Sequence, residues 1–402
     1  MKTVTKSKKL EGVNYAIRGE VLKVAEEMES KGTKILKLNI GNPYAFNLKA
    51  PNYLLETMKN NLIPSQSYSS YKGIEISRKA IVEYYNSKNI NDIDIEDVYL
   101  GNGVSELILI SMQALLNKDD EVLVPMPDYP LWTAAINLAG GKAVHYLCDE
   151  NNEWNPDIND IKKKITKNTK AIVIINPNNP TGALYPKEIL EEIINIAREN
   201  GLIIYSDEIY DRLVYDELEH ISIASLTNDI PIFTFSGLSK SHMVAGYRVG
   251  WMCISGNKEY IKEYINGLNL LLSMRLCSNV PGQYIIEDAL KDKESTKALL
   301  RKGGRLYEQR EYIYNRLKQI SGINVVKPKA GFYIFPKIDI EKFNITDDKE
   351  FVLNFLKEKH VLLVHGTGFN WQNNDHFRVV FLANKKKLEK GIDLLEEYLL
   401  DL

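Results

Sequence analysis

The chain has 402 residues, of which 44% are hydrophobic and 26% charged, and its 51 Lys plus Arg against 53 Asp plus Glu leave a net charge of −2. This length predicts two or three domains and a core that needs no disulfide or structural metal. The charge balance lacks the basic surplus of a nucleic-acid-binding protein, and no apolar run approaches the roughly 18 residues of a membrane helix.

No apolar stretch of a secretory signal follows the basic start at Met1–Lys9. Cys148, Cys253 and Cys277 form no C-x-x-C pair, which suits buried free thiols in a reducing compartment. The six histidines show no metal-ligand spacing, so no metal is expected. These observations together predict a cytoplasmic globular enzyme or binding protein.

The apolar spacing of Ile17, Val21, Val24, Ala25 and Met28 predicts a helix over Tyr15–Lys31 with Gly32 as its stop. A strand over Ile35–Ile40 then runs into Gly41-Asn42-Pro43. From about Ser77 to Gly256 the texture is α/β. Strands are expected at Val98–Leu100, Glu121–Pro125, Lys142–Leu147, Ala171–Ile175, Leu202–Ser206, Ile232–Ser236 and Trp251–Ser255. Helices are expected around Ile81–Tyr85, Ser105–Leu116, Leu131–Leu138 and Ile189–Arg198. Short Ile- and Val-rich runs separated by helices indicate a mostly parallel sheet covered on both faces.

Helices at Lys258–Leu272 and Gln283–Lys291 and one long helix over Ala298–Ile320 follow. Strands at Asn324–Lys327, Phe332–Phe335, Leu362–His365 and Phe377–Leu382 come next, with helices at Lys349–Lys359 and Lys385–Leu400. This is an α+β unit with its own core. The expected division is a large domain over residues 51–300 and a small one over residues 301–402, which the N-terminal segment, residues 1–50, joins.

Four segments place polar residues where strands end, the edge at which open α/β sheets carry their sites. Asn176-Pro177-Asn178-Asn179-Pro180-Thr181-Gly182 is a rigid turn that exposes amides, and by itself it also reads as a surface turn. Asp207 in Ser206-Asp207-Glu208-Ile209-Tyr210 ends a buried strand, either as a helix cap or as a carboxylate awaiting a cation. Lys240 in Ser236-Gly237-Leu238-Ser239-Lys240 is either a solvated lysine or a restrained amine suited to a Schiff base. Arg248 supplies a permanent charge suited to phosphate. Gly101-Asn102-Gly103-Val104-Ser105-Glu106 opens a helix whose N-terminus attracts anions, although no nucleotide-phosphate loop is present.

In order and flanking strands these motifs resemble class-I pyridoxal-phosphate-dependent aminotransferases of the aspartate aminotransferase superfamily, from about Tyr15 to Leu399. Within them the chain is most similar to the alanine (glutamate–pyruvate) aminotransferases. The strings that carry this are Asn39-Ile40-Gly41-Asn42-Pro43, Gly101 to Leu107, Pro127-Asp128-Tyr129-Pro130-Leu131-Trp132, Ser273-Met274-Arg275-Leu276-Cys277 and Asp375-His376-Phe377-Arg378.

The resemblance implies the fold-type-I architecture, a mostly parallel mixed sheet between helices plus a smaller α+β domain. It also implies pyridoxal 5'-phosphate as cofactor, with Lys240 its Schiff-base partner and proton carrier. Asp207 would pair with the pyridine nitrogen, Asn179 and Tyr210 would hydrogen-bond the phenolate oxygen, and Tyr129 would stack on the ring. Val104, Ser105, Ser239 and Arg248 would hold the phosphate, joined by Tyr68 from a second subunit, so a homodimer with shared sites is expected. Many relatives carry serine where this chain has Gly237.

Arg378, Gly41 and Asn179 would bind the substrate α-carboxylate. Arg18 and Arg275 are the candidates for the distal carboxylate of glutamate, each with a structural ion pair as its alternative role. The implied reaction is ping-pong transfer of the amino group between L-alanine/pyruvate and L-glutamate/2-oxoglutarate. Aromatic or kynurenine aminotransfer, another broad-range aminotransfer, or C–S lysis on the same fold are the alternatives. Outside enzymes the alternative is a regulator with an aminotransferase-like sensor domain, which would need an added DNA-binding segment.

Overall fold

The computed structural model describes every residue except Met1, Lys2, Asn14, Ala16 and Arg18. Its centre is an eight-stranded sheet, with strands numbered here in chain order. They are β1 (Val98–Asn102), β2 (Glu121–Met126), β3 (Lys142–Asp149), β4 (Asn155–Pro156), β5 (Thr169–Ile175), β6 (Ile203–Asp207), β7 (Ile232–Gly237) and β8 (Val249–Ser255). The spatial order is β1-β8-β7-β6-β5-β2-β3-β4. Pairing is parallel from β7 across to β3, while β8 runs antiparallel to both β7 and β1. β1, β2, β5, β6 and β7 therefore end at one edge, and the four polar segments gather there.

The two-residue period of a strand builds three layers. Ile172 and Ile174 of β5 face one core with Ile204 and Ile232 and the helix residues Ile81, Leu190 and Ile286. Ala171, Val173 and Ile175 face the other with Phe233, Phe235, Met112, Trp132 and Leu268. Full burial of each such Ile or Val stabilises the fold by about 1.5–3 kcal/mol. The continuous apolar runs are thus a sheet covered on both faces.

A separate core joins Val21, Leu38 and Leu48 to Leu306, Ile334, Phe355, Val379 and Leu395. Here Leu36–Lys37 pairs parallel with Val361–Leu362. Phe377–Val380 lies between Tyr333–Ile334 and Val364–His365, antiparallel to both. These contacts support our proposed division of residues 51–300 from a unit made of residues 1–50 and 301–402.

Some elements differ from the sequence expectation. The first helix runs Glu20–Ser30. The expected long helix over Ala298–Ile320 is two, Glu294–Leu300 and Arg305–Lys318. Gly303 between them has φ +83°, and a Cβ on Gly304 would lie 2.5 Å from the Ala298 carbonyl oxygen, so the chain turns where only glycine fits. A turn over Glu259–Ile261 displaces the start of the next helix to Lys262–Met274. The strand expected over Asn324–Lys327 shrinks to Ile323–Asn324.

Candidate active site

Lys240 lies on a single helical turn, Leu238–Ser241, directly after β7. Its Nζ donates to the Gly41 carbonyl at 2.8 Å. A Cβ at Gly237 would sit 2.6 Å from the Val249 carbonyl oxygen, so the antiparallel approach of β8 leaves no room for a side chain there.

Asp207 ends β6 and is buried. Its Oδ2 accepts from Trp132 Nε1 at 3.1 Å and its Oδ1 from the Ile209 amide at 3.3 Å. No cation pairs with it among the described residues, and burial pushes its carboxyl up to about 6, against the pull of these hydrogen bonds. The unfolded chain ionises this group near 3.9, so stability falls as pH rises from about 4 to about 6 and is level above that. Two units correspond to roughly 3 kcal/mol. Asp207→Asn removes this cost, so the cofactor-free variant should melt above the cofactor-free wild type at pH 8 and alongside it at pH 4. Equal melting temperatures at pH 8 would refute this account.

The Asn176–Gly182 turn is buried throughout, contrary to the surface-turn alternative. Its polar groups satisfy one another. Asn178 Oδ1 accepts from the Thr181 amide at 3.2 Å and hydroxyl at 2.9 Å, and Asn176 Oδ1 accepts from the Tyr185 amide at 2.9 Å. The Asn176 amide donates to the Asp207 carbonyl at 3.0 Å, which fixes the turn against β6. Asn179 is thereby aimed at Arg378, whose Nη1 donates to Asn179 Oδ1 at 2.9 Å.

Arg378 enters from the strand Phe377–Val380. Its Nη2 donates to the Asn39 carbonyl, and its buried Nε has no partner. The guanidinium carbon lies 4.5 Å from the Tyr333 ring centre and 4.6 Å from that of Phe369. Among the described residues no carboxylate pairs with it, and burial lowers its affinity for its proton. A buried cation without a counter-ion is costly, and a bound carboxylate would supply the missing charge.

At the other end, Gly103 caps the helix Val104–Leu115 with φ +77°. A Cβ on Gly103 would come within 2.3 Å of Arg248 Nη2, and one on Gly250 within 2.5 Å of the Val104 amide. Among the described residues Arg248 donates only to carbonyls, those of Ala245 and Asn102, both at 3.1 Å. Ser239 is buried nearby in sequence, while Val104 and Ser105 are half-buried at the helix start. A cavity of about 370 Å³ opens beside Arg248, lined also by Asn102, Tyr247 and Asn279. Tyr68 is 79% exposed.

Tyr129 lies half-buried after β2, its hydroxyl 2.9 Å from that of Tyr15. The neighbouring Asp128 accepts from Thr133 Oγ1 at 2.6 Å and from Asn370 Nδ2 at 2.7 Å, which ties this loop to the small domain. Tyr210 is buried, its hydroxyl 2.7 Å from that of Tyr333.

Arg275 takes its structural alternative. Its Nη1 meets Glu106 Oε2 at 2.6 Å, its Nη2 donates to the Tyr71 carbonyl at 2.7 Å, and both reach the Leu100 carbonyl. Glu106 also accepts from the Asn102 amide at 2.8 Å, so the pair braces the phosphate-side loop instead of facing a substrate. Arg18 lies outside the described residues. Tyr333 and Phe369 escaped sequence reading because each reads as core, and Asn39 and Trp132 stood only within the resembling strings, with no role of their own.

Three features fit pyridoxal phosphate: a buried carboxylate lacking a cation for the ring nitrogen, a glycine-walled helix start beside Arg248 for the phosphate, and a lysine amine held by a carbonyl alone. This fold and site define a pyridoxal-phosphate enzyme of fold type I. The chain belongs to the class I and II aminotransferases, whose family pattern matches residues 33–395. It is 55% identical over 401 residues to the glutamate-pyruvate aminotransferase AlaA of Haemophilus influenzae, covering 100% of this chain and 99% of that protein. An aminotransferase structure from Escherichia coli superposes with a TM-score of 0.98 at 52% identity, covering 99% and 98% of the two chains. The alanine aminotransferase of Pyrococcus furiosus gives a TM-score of 0.92 at 42% identity, covering 99% and 100%.

Proposed function

We propose that this enzyme exchanges the amino group between L-alanine/pyruvate and L-glutamate/2-oxoglutarate, the two pairs taking turns in one site. Its full-length similarity to glutamate-pyruvate and alanine aminotransferases is the observation that carries the choice of substrate. The buried, unpaired Arg378 supports the assignment of the shared α-carboxylate.

Bound pyridoxal phosphate supplies an electron sink for the pair released when the substrate Cα–H bond breaks. Asp207, ionised, would pair with its ring nitrogen, and Asn179 and Tyr210 would hydrogen-bond its phenolate oxygen. Tyr129 would cover its ring, and Val104, Ser105, Ser239 and Arg248 would hold the phosphate. Arg378 and Asn179 orient the substrate carboxylate, with Gly41 lining the same side. This sets the Cα–H bond before Lys240, whose Nζ would move the proton between Cα and the cofactor. With Arg275 engaged by Glu106, Arg18 is the remaining candidate of the two for the distal carboxylate of glutamate.

Tyr68 belongs to the site as the partner subunit's Tyr68, in a homodimer with shared sites. Its 79% exposure leaves its ring free to meet a second copy. A cytoplasmic setting agrees with three free cysteines and with the lack, among the described residues, of any helix long and apolar enough to cross a membrane.

A panel of amino donors against 2-oxoglutarate tests the assignment. Alanine should show the highest kcat/KM, with pyruvate and glutamate formed in equal amounts. Rapid use of another donor without pyruvate formation from alanine would reject it.

A further inference from the structure

We propose that Tyr333 is a positioning residue that acts on both halves of the site, through its hydroxyl on Tyr210 and through its ring on Arg378. It lies on the small-domain strand Tyr333–Ile334, in register with Val379 and Val380 beside Arg378, and is 3% exposed. From there it reaches the large domain. Its hydroxyl is 2.7 Å from the Tyr210 hydroxyl, and the two rings meet edge to face with centroids 5.6 Å apart. Its ring centre lies 4.5 Å from the Arg378 guanidinium carbon. A Cβ at Gly41 would stand 2.2 Å from the Tyr333 hydroxyl oxygen, so the glycine that accepts from Lys240 is also what admits this tyrosine.

The hydroxyl part rests on the reading of Tyr210 as the donor to the cofactor's phenolate oxygen. A phenol has one proton to give. Once Tyr210 spends its proton on the phenolate oxygen, its bond to Tyr333 survives only with Tyr333 as donor. A hydroxyl that accepts a hydrogen bond donates a stronger one, by about 10–30%. Tyr333 thus strengthens the hold of Tyr210 on the phenolate oxygen and lowers that oxygen's affinity for a proton. The ring part is separate. An aromatic face against a desolvated guanidinium attracts it, and here it fixes the plane of a fork whose buried Nε has no partner.

The test uses the holoenzyme and the variants Tyr333→Phe, Tyr333→Leu and Tyr210→Phe. The visible absorption of the bound cofactor is titrated with pH, alanine kinetics are measured, and melting temperatures are recorded. Tyr333→Phe keeps the ring, so its colour change should move up by about 0.3–0.6 pH unit with the alanine KM within about twofold of wild type. Tyr333→Leu should show the same upward move together with a KM raised about tenfold. Tyr210→Phe should move the colour change further than either.

A Tyr333→Phe titration equal to wild type overturns the proposal, as does a Tyr333→Leu KM equal to that of Tyr333→Phe. If Tyr210→Phe moves the colour change and Tyr333→Phe does not, the relay is wrong and Tyr210 keeps its place. If neither moves it, the placement of Tyr210 fails as well. A lowered melting temperature with unchanged titration and KM makes Tyr333 a packing residue only.

Discussion

Lys240→Ala is expected to lower amino-group transfer by at least about 10⁴-fold while leaving alanine binding within severalfold of wild type. In its proposed roles the amine would do two jobs, anchoring the cofactor and carrying the proton at the substrate Cα. Among the described residues its Nζ is held only by the Gly41 carbonyl at 2.8 Å, so it would be released without breaking an ion pair. The carboxylate fork lies elsewhere, Arg378 against Asn179 at 2.9 Å, and the substitution leaves it intact. Single-turnover transfer to 2-oxoglutarate, with absorption spectroscopy of the bound cofactor, checks both points. The yellow colour should disappear with the activity, and transfer at the wild-type rate would remove Lys240 from the chemistry.

Asp207→Ala is expected to retain some cofactor and lose roughly 10²–10³-fold in kcat, the size of effect seen when one preorganised electrostatic partner is removed from a dry site. The carboxylate is buried, held by Trp132 and the Ile209 amide, and lacks a cationic neighbour among the described residues. Its full charge would therefore serve the ring nitrogen in the proposed pairing and keep it protonated. Retention of cofactor would follow because the proposed phosphate side, Arg248 with the start of the helix Val104–Leu115, is untouched. Stopped-flow measurement of the alanine half-reaction separates the two effects. Unchanged turnover would reject the proposed pairing with the ring nitrogen.

The sheet was legible because strands buried on both faces must be apolar at every position, as Ala171–Ile175 is. The candidate residues Asp207 and Lys240 were legible as candidates because they stand as charged residues at or just past the ends of such strands. The reversed direction of β8 was not legible, since Val249–Ser255 is apolar throughout whichever way it runs. Burial of the Asn176–Gly182 turn escaped because its amides bond one another across the loop, and composition does not reveal that. Trp132 and Phe369 read as ordinary core aromatics, and only geometry shows one donating to Asp207 and the other facing Arg378. Arg275 kept two alternatives open because an arginine's neighbours in sequence do not reveal Glu106 across the fold.

The bond from Arg378 to the Asn39 carbonyl joins residues 339 positions apart. Nearby, the Val380 amide donates to the Leu38 carbonyl, so the same strand is stitched twice to the beginning of the chain. During synthesis, Lys240, Asp207 and Arg248 therefore leave the ribosome well before Arg378. In the proposed roles, a growing chain would acquire the parts that hold the cofactor before the arginine that grips the substrate.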